Sequence, residues 1–304
     1  MIIVRIAGGL GNQMQQYALY RKLMVAGADR DVKLDTSWFD ESAQKGVLAK
    51  RELELRFFKD IPLPECTRDE RNSFLKRSVF TKALNKFVPG TSRIFEESKM
   101  YHPEVFELKD CYIEGYFACE KYYDDILPEL QKLFVFPSHE DENMQRKNEE
   151  LMQKMDSEKS VSIHIRRGDY LDPENAALFG NISTDEYYER AIKYFLDKYE
   201  DAHFYIFTND PEYARQKYSD TDKFTVVTNN TGRNSLLDIE LMSHCMGNIC
   251  ANSTFSFWGA RLNSRSDREF VRTFRMRNNQ ECDPEKMHEY WKGWILIDRD
   301  GKII

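Results

Sequence analysis

The sequence predicts an α/β protein of two lobes, and three observations lead there. The chain is 304 residues long, above the usual single-domain length, so two domains of roughly 150 residues can each bury a core. It opens on a short apolar strand, a glycine turn and a helix. Its second half alternates strands and helices at the spacing of a parallel sheet, where each crossover uses a helix.

Residues 2–6, "IIVRI", form the first strand and run into "AGGLGNQM". From Asn12 a helix follows, with Met14, Tyr17, Ala18, Arg21 and Leu23 at helical spacing. Residues 32–35 suit a second strand, and 50–110 mixes charge and aromatics without a period. "CYIEGYF" (111–117) reads as a strand ending at Gly115, and residues of about 120–133 as a helix carrying Tyr123, Ile126, Leu130 and Leu133. A polar helix over 138–160 reads as a linker, which places the lobes at 1–150 and 151–304 with the boundary near 140–158.

In the second half strands are expected at 160–166, 203–208, 224–228 and 248–251, with helices near 184–199, 211–218 and 235–245. Ser183 with Glu186 has the form of a capping box. Asp210 before Pro211 is a capping residue followed by proline at the first helical position.

Composition excludes several classes of function. With 41% hydrophobic, 31% charged and 13% aromatic residues, the chain is an ordinary folding sequence. A formal charge of −7 and no basic stripe argue against nucleic-acid binding. No apolar run approaches membrane-spanning length, and "MIIVRIAGG" lacks the length and cleavage region of a signal peptide. The six cysteines (Cys66, Cys111, Cys119, Cys245, Cys250, Cys282) include no C-x-x-C pair and suit reduced thiols. The expected location is cytoplasmic, where the sequons at Asn181, Asn229 and Asn252 carry no glycan.

The chemistry gathers at strand ends. "SIHI" leads into Arg166-Arg167-Gly168-Asp169, "FYIF" into Thr208-Asn209-Asp210, and "NIC" into Ala251-Asn252-Ser253-Thr254. In an open parallel sheet, ligands bind beyond the carboxyl ends of the strands, and helix N-termini there favour anions. The two-residue strand period puts Ser162, His164 and Arg166 on one face. Arginine suits a diphosphate because its planar fork donates two parallel hydrogen bonds and stays charged. The competing reading for Arg166 and Arg167 is a salt bridge with Asp169 or another acidic neighbour. Asn252-Ser253-Thr254 reads as a helix cap that also presents hydroxyls to an anion.

"AGGLGNQ" lacks the G-x-G-x-x-G spacing and no P-loop motif is present. Its glycines suit either close backbone approach to a ligand or a purely structural turn. Two Asp-x-Asp sequences, at 220–222 and 298–300, lie in polar turns and read poorly as metal sites.

Four stretches together, "GGLGNQM" (8–14), "HIRRGDY" (164–170), "FTND" (207–210) and "ANSTFSFWGA" (251–260), resemble glycosyltransferase family 11, the α-1,2-fucosyltransferases. Weaker echoes at 115–126, 183–192 and 236–245 extend the likeness in order along most of the chain. The resemblance implies a GT-B-like fold, two Rossmann-like lobes facing each other across a cleft, with acceptor sites in the N-terminal lobe and GDP-fucose in the C-terminal lobe. It implies inverting transfer of L-fucose to the 2-hydroxyl of a terminal β-galactoside, with no metal and no other cofactor.

By the same resemblance Arg166 contacts the β-phosphate, and Arg167 is expected either to assist it or to hold Asp169. His164 and Asp238 hold the nucleoside end, while Asn252, Ser253, Thr254 and Ser256 hold the diphosphate. Asn209 lies on the same edge, and Gly11, Asn12 and Gln13 close over the site from the other lobe. Asp169 is the candidate base, its competing role being an arginine partner. The implied acceptor is an oligosaccharide or lipopolysaccharide, and a lipid-linked acceptor would bring loose membrane association. The alternatives are another GDP-sugar-dependent glycosyltransferase and a non-catalytic sugar-nucleotide-binding protein. Gln15, Ala118-Cys119, Phe257 and the segment over 271–280 depart from the family's pattern and bear on acceptor preference.

Overall fold

β1 (Ile2–Arg5) forms from three β-branched residues, all buried. It belongs to the first of two compact units, Met1–Val135 and Phe136–Ile304. The computed structural model describes residues 1–27, 30–40, 43–44, 50–75, 93–167, 173–218 and 222–304. The division falls ahead of the stretch expected to link the lobes. The helix Glu142–Ser157 belongs to the second unit because its Asn148 and Met155 are buried there, against the helix Leu237–His244.

In the first unit β1 pairs in parallel with β2 (Val32–Asp35) and β4 (Cys111–Glu114), and β3 (Ile94–Glu96) completes the order β2-β1-β4-β3. The helix Leu10–Val25 follows the glycine turn. Gly8 has φ +83°, and a Cβ there would meet the Asn12 amide nitrogen at 2.8 Å, so the turn requires glycine. The Ala7 N–H donates to Gln16 Oε1 and Gln16 Nε2 to the Gly115 carbonyl, both at 2.8 Å, tying the ends of β1 and β4 together. The helix expected near 120–133 is instead two 3-10 turns, Glu120–Tyr122 and Asp124–Ile126, followed by the helix Leu127–Leu133. Pro128 has no N–H with which to continue a helix from upstream.

The second unit carries a six-stranded parallel sheet: β5 (Ser160–Ile165), β6 (His203–Thr208), β7 (Phe224–Val226), β8 (Gly247–Cys250), β9 (Glu269–Thr273) and β10 (Trp294–Ile297). The order is β10-β9-β8-β5-β6-β7. The chain runs outward from β5 through β6 and β7, returns to place β8 on the other side of β5, and runs outward again. The direction therefore reverses between β5 and β8, which in doubly wound sheets opens the ligand crevice at the carboxyl ends of those two strands.

Val161, Ile163 and Ile165 face the helix Asp185–Lys198 and pack with Tyr187, Ala191 and Phe195. The valine, isoleucine and phenylalanine side chains among them each contribute roughly 1.5–3 kcal/mol on full burial. Gly247 lets β8 lie under that helix, since a Cβ would sit 2.4 Å from the Phe195 ring. The opposite face is polar: Asn248 Nδ2 donates to Ser162 Oγ at 2.7 Å, and Asn263 Nδ2 to Asn248 Oδ1 at 3.0 Å. Each unit is thus an α/β lobe on a parallel sheet, the fold class expected of a GT-B-like chain. No helix among the described residues is long and apolar enough to cross a membrane.

Candidate active site at the strand ends of the second sheet

Arg166 and Arg167 follow the last residue of β5 and are half-buried. The Arg167 N–H donates to Asn209 Oδ1 at 3.0 Å, so the residue after β6 fixes the backbone after β5. The Arg167 guanidinium lies 3.8 Å from the Tyr213 ring centroid, with Nε 3.4 Å from Asp210 Oδ2. Among the described residues its acidic partner is therefore Asp210. Gly168 and Asp169 lie outside the described residues. Asp210 also caps the helix Pro211–Lys217, accepting from the Tyr213 N–H at 3.1 Å. Asn209, expected at a ligand, is exposed and also positions the arginine loop through its Oδ1.

His164 shares its face with Arg166 and is 5% exposed. Burial, reinforced by the Arg166 charge, lowers its pKa to about 3, so the ring is neutral at physiological pH. Its carbonyl accepts from the Tyr188 hydroxyl at 2.9 Å, and its ring lies 5.6 Å from that of Phe255. Nδ1 has no partner among the described residues. A neutral imidazole with an open nitrogen can make a hydrogen bond to a ligand without adding charge.

At the end of β8 the geometry revises three expectations. Asn252 is buried: its Oδ1 accepts from Ser183 Oγ at 2.8 Å, and Nδ2 donates to the carbonyls of Phe179 at 3.0 Å and Met276 at 3.2 Å. With both amide hydrogens engaged, it braces the loop rather than offering its amide to a diphosphate. Ser253 is the N-cap of the helix Thr254–Leu262 but makes no side-chain capping bond. Ser256 is buried and donates its hydroxyl to the Ser253 carbonyl at 3.1 Å. What this strand end offers an anion is the positive end of the helix, with Ser253 and the half-buried Thr254 beside it.

Asp238 stands in the first turn of the helix Leu237–His244 and accepts from Asn230 Nδ2 at 2.8 Å. Asn230 Oδ1 in turn accepts from Asn148 at 2.8 Å, and Asn148 Oδ1 from Asn229 at 3.1 Å. Burial raises the Asp238 carboxyl to about 7, while the Asn230 bond pulls the other way. A carboxylate so placed can accept two N–H donors from the edge of a base. Sequence reasoning missed Asn230 and Asn148; the adjacent asparagines after β7 were the available signal.

The glycine turn of the first unit is described on its own. Gln13 is fully buried, its Nε2 donating to the carbonyls of Gly8 at 2.9 Å and Glu52 at 3.0 Å, while Oε1 accepts from the Leu55 N–H at 3.3 Å. Its amide locks the turn to the 52–55 segment, contrary to the expected ligand role. Gly11 is buried and Asn12 half-buried, so of the three Asn12 is the most exposed.

Asp220 of the first Asp-x-Asp lies outside the described residues. In the second, Asp298 Oδ1 accepts from the N–H groups of Asp300 and Lys302, closing its own turn. Among the described residues no group of three or more His, Cys, Asp or Glu side chains is placed to hold a metal ion.

Comparison with known proteins gives this geometry a context. Residues 98–298 match the family model described as glycosyl transferase family 11. The O-antigen biosynthesis glycosyltransferase WbnK of Escherichia coli is 31% identical over 287 residues, covering 88% of this chain and 91% of that protein. The alpha-1,2-colitosyltransferase of Escherichia coli is 29% identical over 282 residues, 86% of this chain and 87% of that one. Galactoside alpha-(1,2)-fucosyltransferase 1 of Sus scrofa is 33% identical over 104 residues, 34% of this chain and 28% of its own length.

Proposed function

Because the chain belongs to glycosyl transferase family 11 and is a glycosyltransferase, we propose that it transfers L-fucose from GDP-fucose to the 2-hydroxyl of a terminal β-galactoside. Transfer inverts the anomeric centre and needs no metal ion. The observation that carries this reading is the position of Arg166: it follows β5, where the strand order reverses, next to the β8 end from which the Thr254–Leu262 helix starts.

As the sugar–phosphate bond breaks, negative charge grows on the β-phosphate while the sugar gains oxocarbenium character. A fixed guanidinium there favours the transition state over the ground state. Arg166 supplies that charge, and Arg167, held on Tyr213 and Asp210, fixes the backbone that carries it. His164 and Asp238 take the nucleoside. Asp169 is our candidate for removing the acceptor proton.

The likeness to a galactoside alpha-(1,2)-fucosyltransferase supports donor and acceptor, and the likeness to an alpha-1,2-colitosyltransferase supports the linkage. The second likeness also favours one alternative donor, GDP-colitose, whose sugar is fucose without its 3-hydroxyl. The free thiols, four of them buried, suit a reducing compartment, so we place the reaction in the cytoplasm, at a membrane surface when the acceptor is lipid-linked. Incubation with GDP-fucose or GDP-colitose and lactose in EDTA, followed by mass and linkage analysis, tests the reading. It predicts an α-1,2-fucosylated product, and a donor preference for colitose would select the alternative.

A further inference from the structure

Arg272, on β9, is fully buried, and so is Trp291. The Arg272 guanidinium carbon lies 3.7 Å from the Trp291 ring centroid and 4.7 Å from that of Phe257. Its Nε donates to the Thr273 carbonyl at 2.9 Å. Among the described residues, Nη1 and Nη2 have no acceptor, and neither does the Trp291 indole N–H. A guanidinium keeps its proton, and a buried charge without a partner is strongly destabilising. Ring stacking offsets only part of that cost.

The neighbouring thiol and phenol groups hold their protons and supply no compensating negative charge. The Cys250 thiol donates to the Ser256 carbonyl at 3.3 Å, and the Tyr187 hydroxyl donates to the Cys250 carbonyl at 2.6 Å. Burial raises the pKa of Cys282 and holds Tyr187 well above its usual value. Burial, and then the charge of Arg261 beside the same indole, bring Arg272 down to about 9, which leaves it protonated at neutral pH.

We propose that Arg272 and Trp291 form a closed binding site for a small monovalent anion of the halide class. The open side-chain groups here are all N–H donors, which an anion can accept. A buried guanidinium with two unpaired nitrogens calls for a negative charge. Because Arg272 pairs with Cys250 across β8 and β9 and packs on Phe257 of the Thr254–Leu262 helix, the anion would be part of that helix's support. The site stands independently of the donor reading.

Thermal unfolding of the full chain, with sodium chloride replacing sodium gluconate at constant ionic strength, tests this. The expected result is a saturable rise in Tm, roughly 3–6 °C when chloride reaches tenfold its Kd. A bromide-soaked crystal should show an anomalous peak within hydrogen-bond distance of the Arg272 Nη atoms and Trp291 Nε1. Arg272→Met should abolish the chloride dependence, and Trp291→Phe, which keeps the stack and removes one donor, should weaken it. If the variants fail to fold, the wild-type bromide experiment decides. Equal Tm in chloride and gluconate, or no bromide at this position, overturns the proposal.

Discussion

Arg167 lies over the face of Tyr213, its guanidinium carbon 3.8 Å from the ring centroid. Together with the hydrogen bond from its N–H to Asn209, this contact makes the end of β6 the support for the loop that carries Arg166. Tyr213→Ala should lower kcat/KM about tenfold, because a displacement on the order of 1 Å near the chemistry costs that much or more. Tyr213→Phe should stay near wild type. Wild-type kinetics in the alanine variant would remove Arg167 and Tyr213 from a positioning role.

Arg166 is assigned the developing phosphate charge. Arg166→Ala should keep the wild-type far-ultraviolet circular dichroism and lose about 10²–10³ in kcat, the usual cost of removing one transition-state donor. Activity within threefold of wild type would show the assignment to be wrong.

Asn252 braces the site without presenting its amide to it. Asn252→Ala would leave the Phe179 and Met276 carbonyls and the Ser183 hydroxyl short of a buried partner. Denaturant unfolding should report a loss of about 2–4 kcal/mol. A loss of activity with unchanged stability would instead indicate direct contact with the ligand.

Asp238 gives stability a pH signature. Its folded pKa, about 7, lies above the ordinary 3.8 of an aspartate, so its contribution is full below the unfolded pKa and is lost as pH rises through the folded one. Asp238→Asn keeps the acceptor for Asn230 and cannot ionise. The variant should match wild type near pH 4 and exceed it above pH 7 by on the order of 1–2 kcal/mol, allowing for screening at a half-buried group. It should also bind GDP more weakly. A stability difference that does not change with pH would place the Asp238 carboxyl in water.

Much of this was legible in the sequence where one signal dominated. The alternation in "SVSIHI" gave β5 and both its faces, and Asp210-Pro211 gave a helix start that the structure reproduces. The capping box was off by one residue: Thr184 caps the Tyr187 N–H, because the Ser183 hydroxyl is engaged with Asn252. β9 was missed because "REFVRT" reads as a charged surface, and only tertiary packing puts Arg272 in the core.

The site shows the same limit. Residue type and strand-end position brought His164 and Arg166 into view, and the family resemblance added Asp238. Whether an amide faces a ligand or the interior depends on partners far away in sequence. Gln13 bonds to Glu52, and Asn252 to Phe179 and Met276.

The most direct measurement is a crystal structure of the protein with GDP bound in the presence of EDTA. The expected β-phosphate lies within hydrogen-bond distance of the Arg166 guanidinium, beyond the ends of β5 and β8. A diphosphate bound at another edge of the sheet, or GDP that binds only when a divalent cation is restored, would contradict the account.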